Sequence, residues 1–102
     1  MANIIVSGAG SSEVNGTYVE SGTFEGRPKY VYDNYVLVWS SVWVIGTSDY
    51  VNAYYISKNN VATPDLCTTW EVYDGEPPVP TVTKEVTGIP KHFLYYARMR
   101  GN

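Results

Sequence analysis

The sequence predicts an all-β domain, an antiparallel meander of about seven to nine short strands that forms a small barrel or a sandwich. Valine occurs 14 times among the 102 residues, and β-branched and aromatic residues favour strands over helices. Turn-forming pairs such as Asn15-Gly16 and Asp74-Gly75 separate the apolar segments at intervals of about ten residues. Short strands joined by short turns explain this pattern best.

Each predicted strand is an apolar or alternating segment bounded by turn formers. In chain order these segments cover residues 4–7, 16–24, 29–33, 35–39, 42–46, 53–57 and 69–73, with 81–86 and 92–99 as further strands. The last segment follows Pro90 and also fits a short helix, although we expect a strand there. One domain is expected over residues 1–102, with a module core at about 4–82 and a C-terminal extension at 83–102.

Segments 35–39 and 42–46 form the clearest hairpin. Both faces of both segments are apolar, so both faces should be covered by other parts of the protein. Ser40-Ser41 fits neither of the two-residue turns that hairpins prefer. We therefore expect a turn of four or more residues that includes Trp39 and Val42.

Three prolines interrupt the strand pattern after Gly75. Proline cannot donate to a sheet ladder and has a fixed φ, so Pro77, Pro78 and Pro80 are incompatible with a central strand. Residues 75–80 are predicted to form a connection or a module boundary.

The charge distribution separates an acidic body from a basic C-terminal segment. Residues 1–90 hold four Lys or Arg and ten Asp or Glu, a balance of −6. Residues 91–102 hold three basic residues and no acidic ones, a balance of +3. Affinity for nucleic acid comes mainly from neutralising phosphates, so the acidic body argues against a nucleic-acid partner.

Membrane and secretion signals are not recognisable in the sequence. No apolar run approaches the ~18 residues of a membrane-spanning helix, and the first residues lack the basic segment of a secretory signal. We expect no membrane partner and a component of the cytoplasm or of a virion, or a piece of a larger chain. The single Cys67 excludes an internal disulfide, and with the single His92 it cannot supply four zinc ligands.

Candidate catalytic groups are few. Cys67 with His92 as its base would make a nucleophilic pair, but one Cys and one His coexist by chance in many chains. Loop aspartates suit calcium or a glycosidase pair, yet they more often hydrogen-bond their own backbone. The sequence therefore predicts no catalytic residue, metal site or cofactor. The rival interpretation is a small hydrolase that uses Asp74, Glu76 or His92.

Fifteen aromatic residues, ten of them tyrosine, exceed what the core of a domain of this size ordinarily holds. Trp39, Trp43 and Trp70 are expected in the core. Rings left at the surface suit a binding surface, because tyrosine provides a large contact area at low entropic cost. The predicted ligand-binding residues are Tyr32, Tyr50, Asn52, Tyr54 and Tyr55. The predicted interface residues, in the basic C-terminal segment, are Phe93, Tyr95, Tyr96 and Arg98.

A set of short motifs spans residues 6–82. They are Asn15-Gly16-x-Tyr18, Gly26-Arg27-Pro28-x-Tyr30, Trp43-x-Ile45, Tyr54-Tyr55, Thr63-Pro64, Trp70-x-Val72 and Gly75-x-Pro77-x-x-Pro80. This combination resembles small aromatic-rich β modules of phage, marine-microbial and protist multidomain proteins. The resemblance implies a common β fold, and a phage or environmental bacterial source, without any catalytic residues. The chain departs from the pattern in its Ser40-Ser41 turn and in its C-terminal extension.

These observations predict a non-enzymatic binding or assembly module whose surface aromatics contact a carbohydrate or a protein. A homo-oligomer is expected, because an exposed aromatic segment such as the C-terminal one can add a strand to a neighbouring subunit. The alternatives are a purely structural repeat unit with buried rings and the small hydrolase.

Overall fold

The computed structural model describes residues 3–85, which form one antiparallel sheet of eight strands. The strands are β1 (Ile4–Ser7), β2 (Gly16–Phe24), β3 (Arg27–Tyr32), β4 (Tyr35–Trp39), β5 (Trp43–Thr47), β6 (Ala53–Ser57), β7 (Glu71–Val72) and β8 (Thr81–Lys84). Two short 3-10 helices, Ser12–Val14 and Pro64–Leu66, lie in the connections. Within this described part, no helix is long and apolar enough to cross a bilayer.

The strand order is β7-β6-β5-β4-β3-β2-β1-β8, so seven strands form a meander and β8 returns beside β1. Every neighbouring pair is antiparallel. The sheet curls into a half-barrel, which confirms the predicted all-β antiparallel meander. Strands β7 and β8 are its two edges, and no pairing joins them within residues 3–85.

Most strand bounds agree with the sequence prediction. Strands β1, β2, β4 and β6 have the predicted bounds, whereas β5 lies one residue later and β3 runs from Arg27 to Tyr32 instead of over 29–33. Strand β7 is shorter than predicted, because the amides of Tyr73 and Gly75 both donate to the Tyr54 carbonyl and end the regular ladder. Strand β8 ends at Lys84. The strand predicted at 92–99 lies outside the described residues.

Side chains of β4 and β5 alternate between two faces of the sheet. Leu37 and Ile45, neighbours across the hairpin, lie on the concave side and are fully buried. Val36 and Val38 point to the convex side, and each is only 3% exposed. The prediction that both faces of this hairpin are covered is thus confirmed for β4.

The turn of this hairpin is shorter than predicted. Trp39 stays paired with Trp43, which leaves a three-residue connection at residues 40–42. Ser41 adopts a left-handed conformation with a φ of 63°, which lets a three-residue loop reverse the chain. The paired positions also keep the two indole rings in edge contact, with centroids 5.9 Å apart. The expectation that Trp39 would enter a longer turn was therefore wrong.

The three tryptophans lie in or against the core on the concave side, as predicted. Trp43 is fully buried, Trp70 is nearly so, and Trp39 packs half-buried beside them. The Trp43 Nε1–H donates to the Val61 carbonyl at 2.9 Å. The Arg27 guanidinium lies 3.8 Å from the centre of the Trp39 ring and donates to the same carbonyl at 2.7 Å. These bonds fix the loop after β6 to β3 and β5.

Three tyrosines, Tyr18, Tyr30 and Tyr55, are also fully buried in this core. A buried phenol needs a hydrogen-bond partner, and the Tyr18 hydroxyl donates to the Val14 carbonyl at 2.7 Å. Burial raises the pKa of Tyr30 to about 12 and also raises the pKa of Tyr18, so both phenols stay neutral at physiological pH. Burying each ring contributes roughly 1.5–3 kcal/mol, so much of the aromatic content stabilises the fold.

Residues 75–80 form a connection that brings β8 back beside β1. The Gly10 N–H donates to the Pro78 carbonyl at 3.0 Å, and the Glu76 N–H donates to Ser11 Oγ at 2.9 Å. Gly10 has no room for a side chain, since a Cβ there would overlap the Pro77 carbonyl. Of the two interpretations of this proline-rich segment, the structure shows the connection.

Candidate binding pocket

A pocket of about 280 Å³ opens on the convex face of the sheet. Its floor consists of Val36 and Val38 on β4 and Val44 on β5. A cavity of ~150 Å³ can hold a benzene ring, so this volume accommodates a group the size of a large amino-acid side chain. We call this site the outer pocket.

Two aromatic rings form one wall of the outer pocket. Phe24 comes from the end of β2, and Tyr50 comes from the loop between β5 and β6. Their rings stack with centroids 5.4 Å apart and an interplanar angle of 15°. Stacked aromatic pairs contribute about 0.5–1.5 kcal/mol beyond the area that they bury, so the stack holds these two connections together.

The turn between β2 and β3 fixes the position of Phe24. Phe24 pairs with Arg27, so Glu25 and Gly26 are the only residues of the turn. Their φ values of 50° and 83° are both positive, as the tightest hairpin turn requires. Phe24 therefore occupies the last rung of the ladder.

Tyr50 is fixed by a network of hydrogen bonds within the loop after β5. The Asp49 carboxylate accepts bonds from Thr47 Oγ1 at 2.6 Å and from the Val51 N–H at 3.0 Å. These bonds lower the pKa of Asp49, so the carboxylate is ionised at neutral pH. The Tyr50 N–H donates to the Thr47 carbonyl at 2.9 Å, and Tyr50 itself has a φ of 62°. The network thus holds a bulky residue in a left-handed conformation, which places its ring against Phe24.

The lining of the outer pocket is mainly apolar. Tyr50 and Val51 stand at the opening and are 51% and 72% exposed. Three polar side chains also line the pocket, those of Ser40, Thr47 and Asn52. An apolar surface with a few polar groups is typical of sites that bind by burying an apolar group and orienting it with hydrogen bonds.

Two carboxylates flank the opening. Glu25 accepts a hydrogen bond from Ser40 Oγ at 3.4 Å, and Asp49 lies next to Tyr50 in the loop. Within residues 3–85, no Lys, Arg or His side chain lines the pocket. Two negatively charged side chains therefore lie next to residues that line the outer pocket.

The structure separates the five predicted ligand-binding residues. Tyr50 and Asn52 line the outer pocket. Tyr54 makes an edge contact with Tyr35, and Tyr32 packs on Tyr18 with ring centroids 5.3 Å apart, so both belong to the periphery of the core.

Tyr55 corrects the sequence prediction. It is fully buried, its hydroxyl donates to the Glu76 carbonyl at 2.6 Å, and the Ser11 N–H donates to that hydroxyl. A side chain with no exposed surface cannot contact a ligand in this state. Tyr55 instead connects β6 to the proline-rich connection.

Sequence reasoning missed Phe24 and the valine floor. Segment 35–39 is apolar on both faces, and this pattern predicted that the face of Val36 and Val38 would be covered as well. Nothing local links Phe24 to Tyr50, because 25 residues separate them along the chain. The predicted interface residues Phe93, Tyr95, Tyr96 and Arg98 lie outside the described residues.

Among the groups considered for catalysis, Cys67 is a half-buried free cysteine. Burial raises the pKa of the Cys67 thiol, which disfavours the reactive thiolate. No cluster of three or more His, Cys, Asp or Glu side chains suited to a metal occurs in residues 3–85. His92, one of the three residues that the hydrolase interpretation considered, lies outside residues 3–85.

Comparisons with protein-family models, curated proteins and solved structures found no significant match to this chain. The resemblance to aromatic-rich β modules therefore stays a prediction. Function has to be argued from the chemistry of the outer pocket, since a fold alone does not define one.

Proposed function

We propose that this protein is a non-enzymatic binding module whose outer pocket holds an apolar side chain of a protein partner. The observation that carries the proposal is the Phe24–Tyr50 stack beside a floor of three valines, two of them buried. Aromatic residues around a pocket that excludes water supply much of the binding energy at protein interfaces. The exposed Val51 would add apolar contact at the edge.

A carbohydrate is the second candidate partner. The half-exposed ring of Tyr50 beside Asn52 favours it, because sugars combine an apolar face with hydroxyl groups. The valine floor favours the protein partner, since hydroxyls buried against valine would lose hydrogen bonds to water without replacement.

Calorimetric titration with small probes tests the choice between these partners. N-acetyl-tryptophanamide and N-acetyl-leucinamide represent apolar side chains, and cellobiose represents a carbohydrate. We expect the two amides to bind with a negative heat-capacity change, which is the signature of apolar burial. Binding of cellobiose alone would replace the protein partner with the carbohydrate.

A pair of tyrosine variants locates the binding. Tyr50→Ala removes half of the aromatic stack and should weaken amide binding about fivefold, or ~1 kcal/mol. Tyr73→Ala is the matched control, since Tyr73 is 62% exposed and does not line the pocket. Amide binding that is unchanged in Tyr50→Ala would contradict the proposal.

A further inference from the structure

An apolar row crosses the convex face of the sheet and ends in the outer pocket. Val19 on β2 pairs with Val31 on β3, which pairs with Val36 on β4. Their exposure falls along the row, from 46% at Val19 through a half-buried Val31 to 3% at Val36. The row is a partly exposed apolar path that leads from the β2 side of the sheet to the pocket floor.

The last residue of strand β8 lies one ladder position from the apolar row. Lys84 pairs with Ile4, which pairs with Tyr18, the neighbour of Val19. The Glu85 N–H donates to the Asn3 carbonyl at 2.9 Å, so the chain is still fixed to β1 at that point. Residues after Glu85 therefore start at the end of the sheet where the apolar row lies.

The distance from Glu85 to the outer pocket suits the residues that follow. Four strand spacings, from β8 to β4, amount to ~19 Å along the sheet. Eight residues, from Glu85 to Phe93, span at most ~26–29 Å, and eleven, to Tyr96, at most ~36–40 Å. The aromatic residues of the C-terminal segment can reach the pocket even over a curled surface.

Charge and side-chain chemistry match between the two regions. Residues 3–85 contain four basic and ten acidic residues, a balance of −6, and Glu25 and Asp49 flank the pocket. Residues 91–100 contain three basic residues and no acidic ones, together with Phe93, Leu94 and Tyr95. Apolar side chains for the valine floor and cations for the carboxylates of Glu25 and Asp49 thus occur in one short segment.

We infer that residues 91–100 bind in the outer pocket of their own chain. The inference rests on the proposed function, because it names the first occupant of the same site. The effective concentration of a tethered segment at the pocket is in the millimolar range. A second molecule would need a free concentration of the same order to compete equally for the pocket. An external partner then binds only by displacing the segment, which makes the segment a regulator of the pocket.

The test compares the full-length protein with a full-length serine variant, in which Phe93, Leu94, Tyr95 and Tyr96 are all changed to Ser. The probe is a fluorescent synthetic peptide of residues 91–100, and anisotropy reports its binding. We expect one peptide per chain and at least about tenfold tighter binding to the serine variant, because its pocket is open. Equal affinity for both proteins would overturn the inference.

Two further variants link the peptide to the outer pocket. Tyr50→Ala in the serine variant should weaken peptide binding at least about fivefold, and Tyr73→Ala should leave it unchanged. Glu25→Gln in the serine variant should weaken peptide binding about twofold and reduce its dependence on salt concentration, because it removes one exposed ion pair. A peptide that binds equally well to the Tyr50→Ala form would overturn the inference.

Light scattering distinguishes the tethered arrangement from exchange between molecules. Both proteins should have the mass of a monomer. A dimer that becomes monomeric in the serine variant would overturn binding within one chain and support the exchange between subunits that the sequence predicts. If N-acetyl-tryptophanamide binds to the serine variant but the peptide does not, the inference fails and the proposed function stands. If neither binds, both fail.

Discussion

Tyr50 shows how a few hydrogen bonds fix a loop residue in the wall of a pocket. A positive φ is uncommon for a bulky residue, and it persists only where its surroundings enforce it. Here the Asp49 carboxylate joins Thr47 Oγ1 to the Val51 N–H around Tyr50. The same network that strains the backbone thus directs the ring towards Phe24.

Asp49 is predicted to position Tyr50. Asp49→Ala removes both hydrogen bonds, so we expect weaker amide binding, by several fold, and a loss of order at Tyr50. Asp74→Ala is the matched control, because it removes an aspartate that does not line the pocket. Equal binding by the Asp49→Ala and Asp74→Ala variants would exclude a positioning role.

The pH dependence of this loop follows from the same bonds. They favour the charged carboxylate and lower its pKa in the folded state below the unfolded value of about 3.9. Their stabilising effect is therefore present above about pH 4 and is lost as the pH falls through the folded pKa. The Val51 amide resonance, followed by NMR during acidification, should move in that range. A resonance that does not titrate there would contradict this account.

Tyr18 illustrates the polar requirement of an aromatic core. Tyr18→Phe keeps the ring but leaves the Val14 carbonyl without its 2.7 Å hydrogen bond, which should cost about 1–2 kcal/mol of unfolding free energy. Urea denaturation measures this change. Tyr73→Phe, at an exposed position, should change the stability little. A neutral Tyr18→Phe would mean that the bond adds nothing.

Among the predicted ligand-binding residues, Tyr50 and Asn52 line the outer pocket, whereas Tyr55, expected at the surface, is fully buried. Strand alternation fails there, because the register shifts between Ile45 and Gly46. Ile45 pairs with Tyr55 while Gly46 pairs with Ala53, which leaves Tyr54 without a paired neighbour. The pattern of apolar and polar residues in the sequence does not reveal a β-bulge of this kind.

At the scale of elements, the short connection between β4 and β5 makes a specific prediction. Ser41 has a φ of 63°, a region that costs most residues about 1 kcal/mol and costs glycine nothing. Ser41→Gly should therefore raise the unfolding free energy by about 0.5 kcal/mol, after the extra entropy of the unfolded glycine is counted. Ser40→Gly is the control and should be neutral or destabilising. Equal effects of both variants would argue against a left-handed Ser41.

The central strands were predictable because local chemistry defines them. Asp33-Asn34 before β4 and Ser40-Ser41 after it interrupt the apolar pattern, and β4 has the predicted bounds. Strand β7 was overestimated, since its end depends on bonds from Tyr73 and Gly75 to β6. Edge strands of this kind depend on their neighbours more than on their own residues.

At the scale of the whole molecule, the half-barrel has a different role on each face. The concave side buries most of the tryptophans and several tyrosines in the core, and the convex side carries the outer pocket. The sequence could not distinguish a barrel from a sandwich, because the pairing of β8 with β1 joins residues about 80 positions apart. The contact of Phe24 with Tyr50 depends on the same global arrangement.

The proposed function requires that the outer pocket binds an apolar group. An NMR titration of the ¹⁵N-labelled serine variant, whose pocket is not occupied by its own C-terminal segment, with N-acetyl-tryptophanamide tests this requirement. We predict that the largest amide shifts occur at Phe24, Tyr50, Val51 and Asn52, and that they saturate together. Shifts that concentrate at Leu66 and Tyr73, which are exposed apolar residues away from the pocket, or the absence of saturable shifts would contradict the claim.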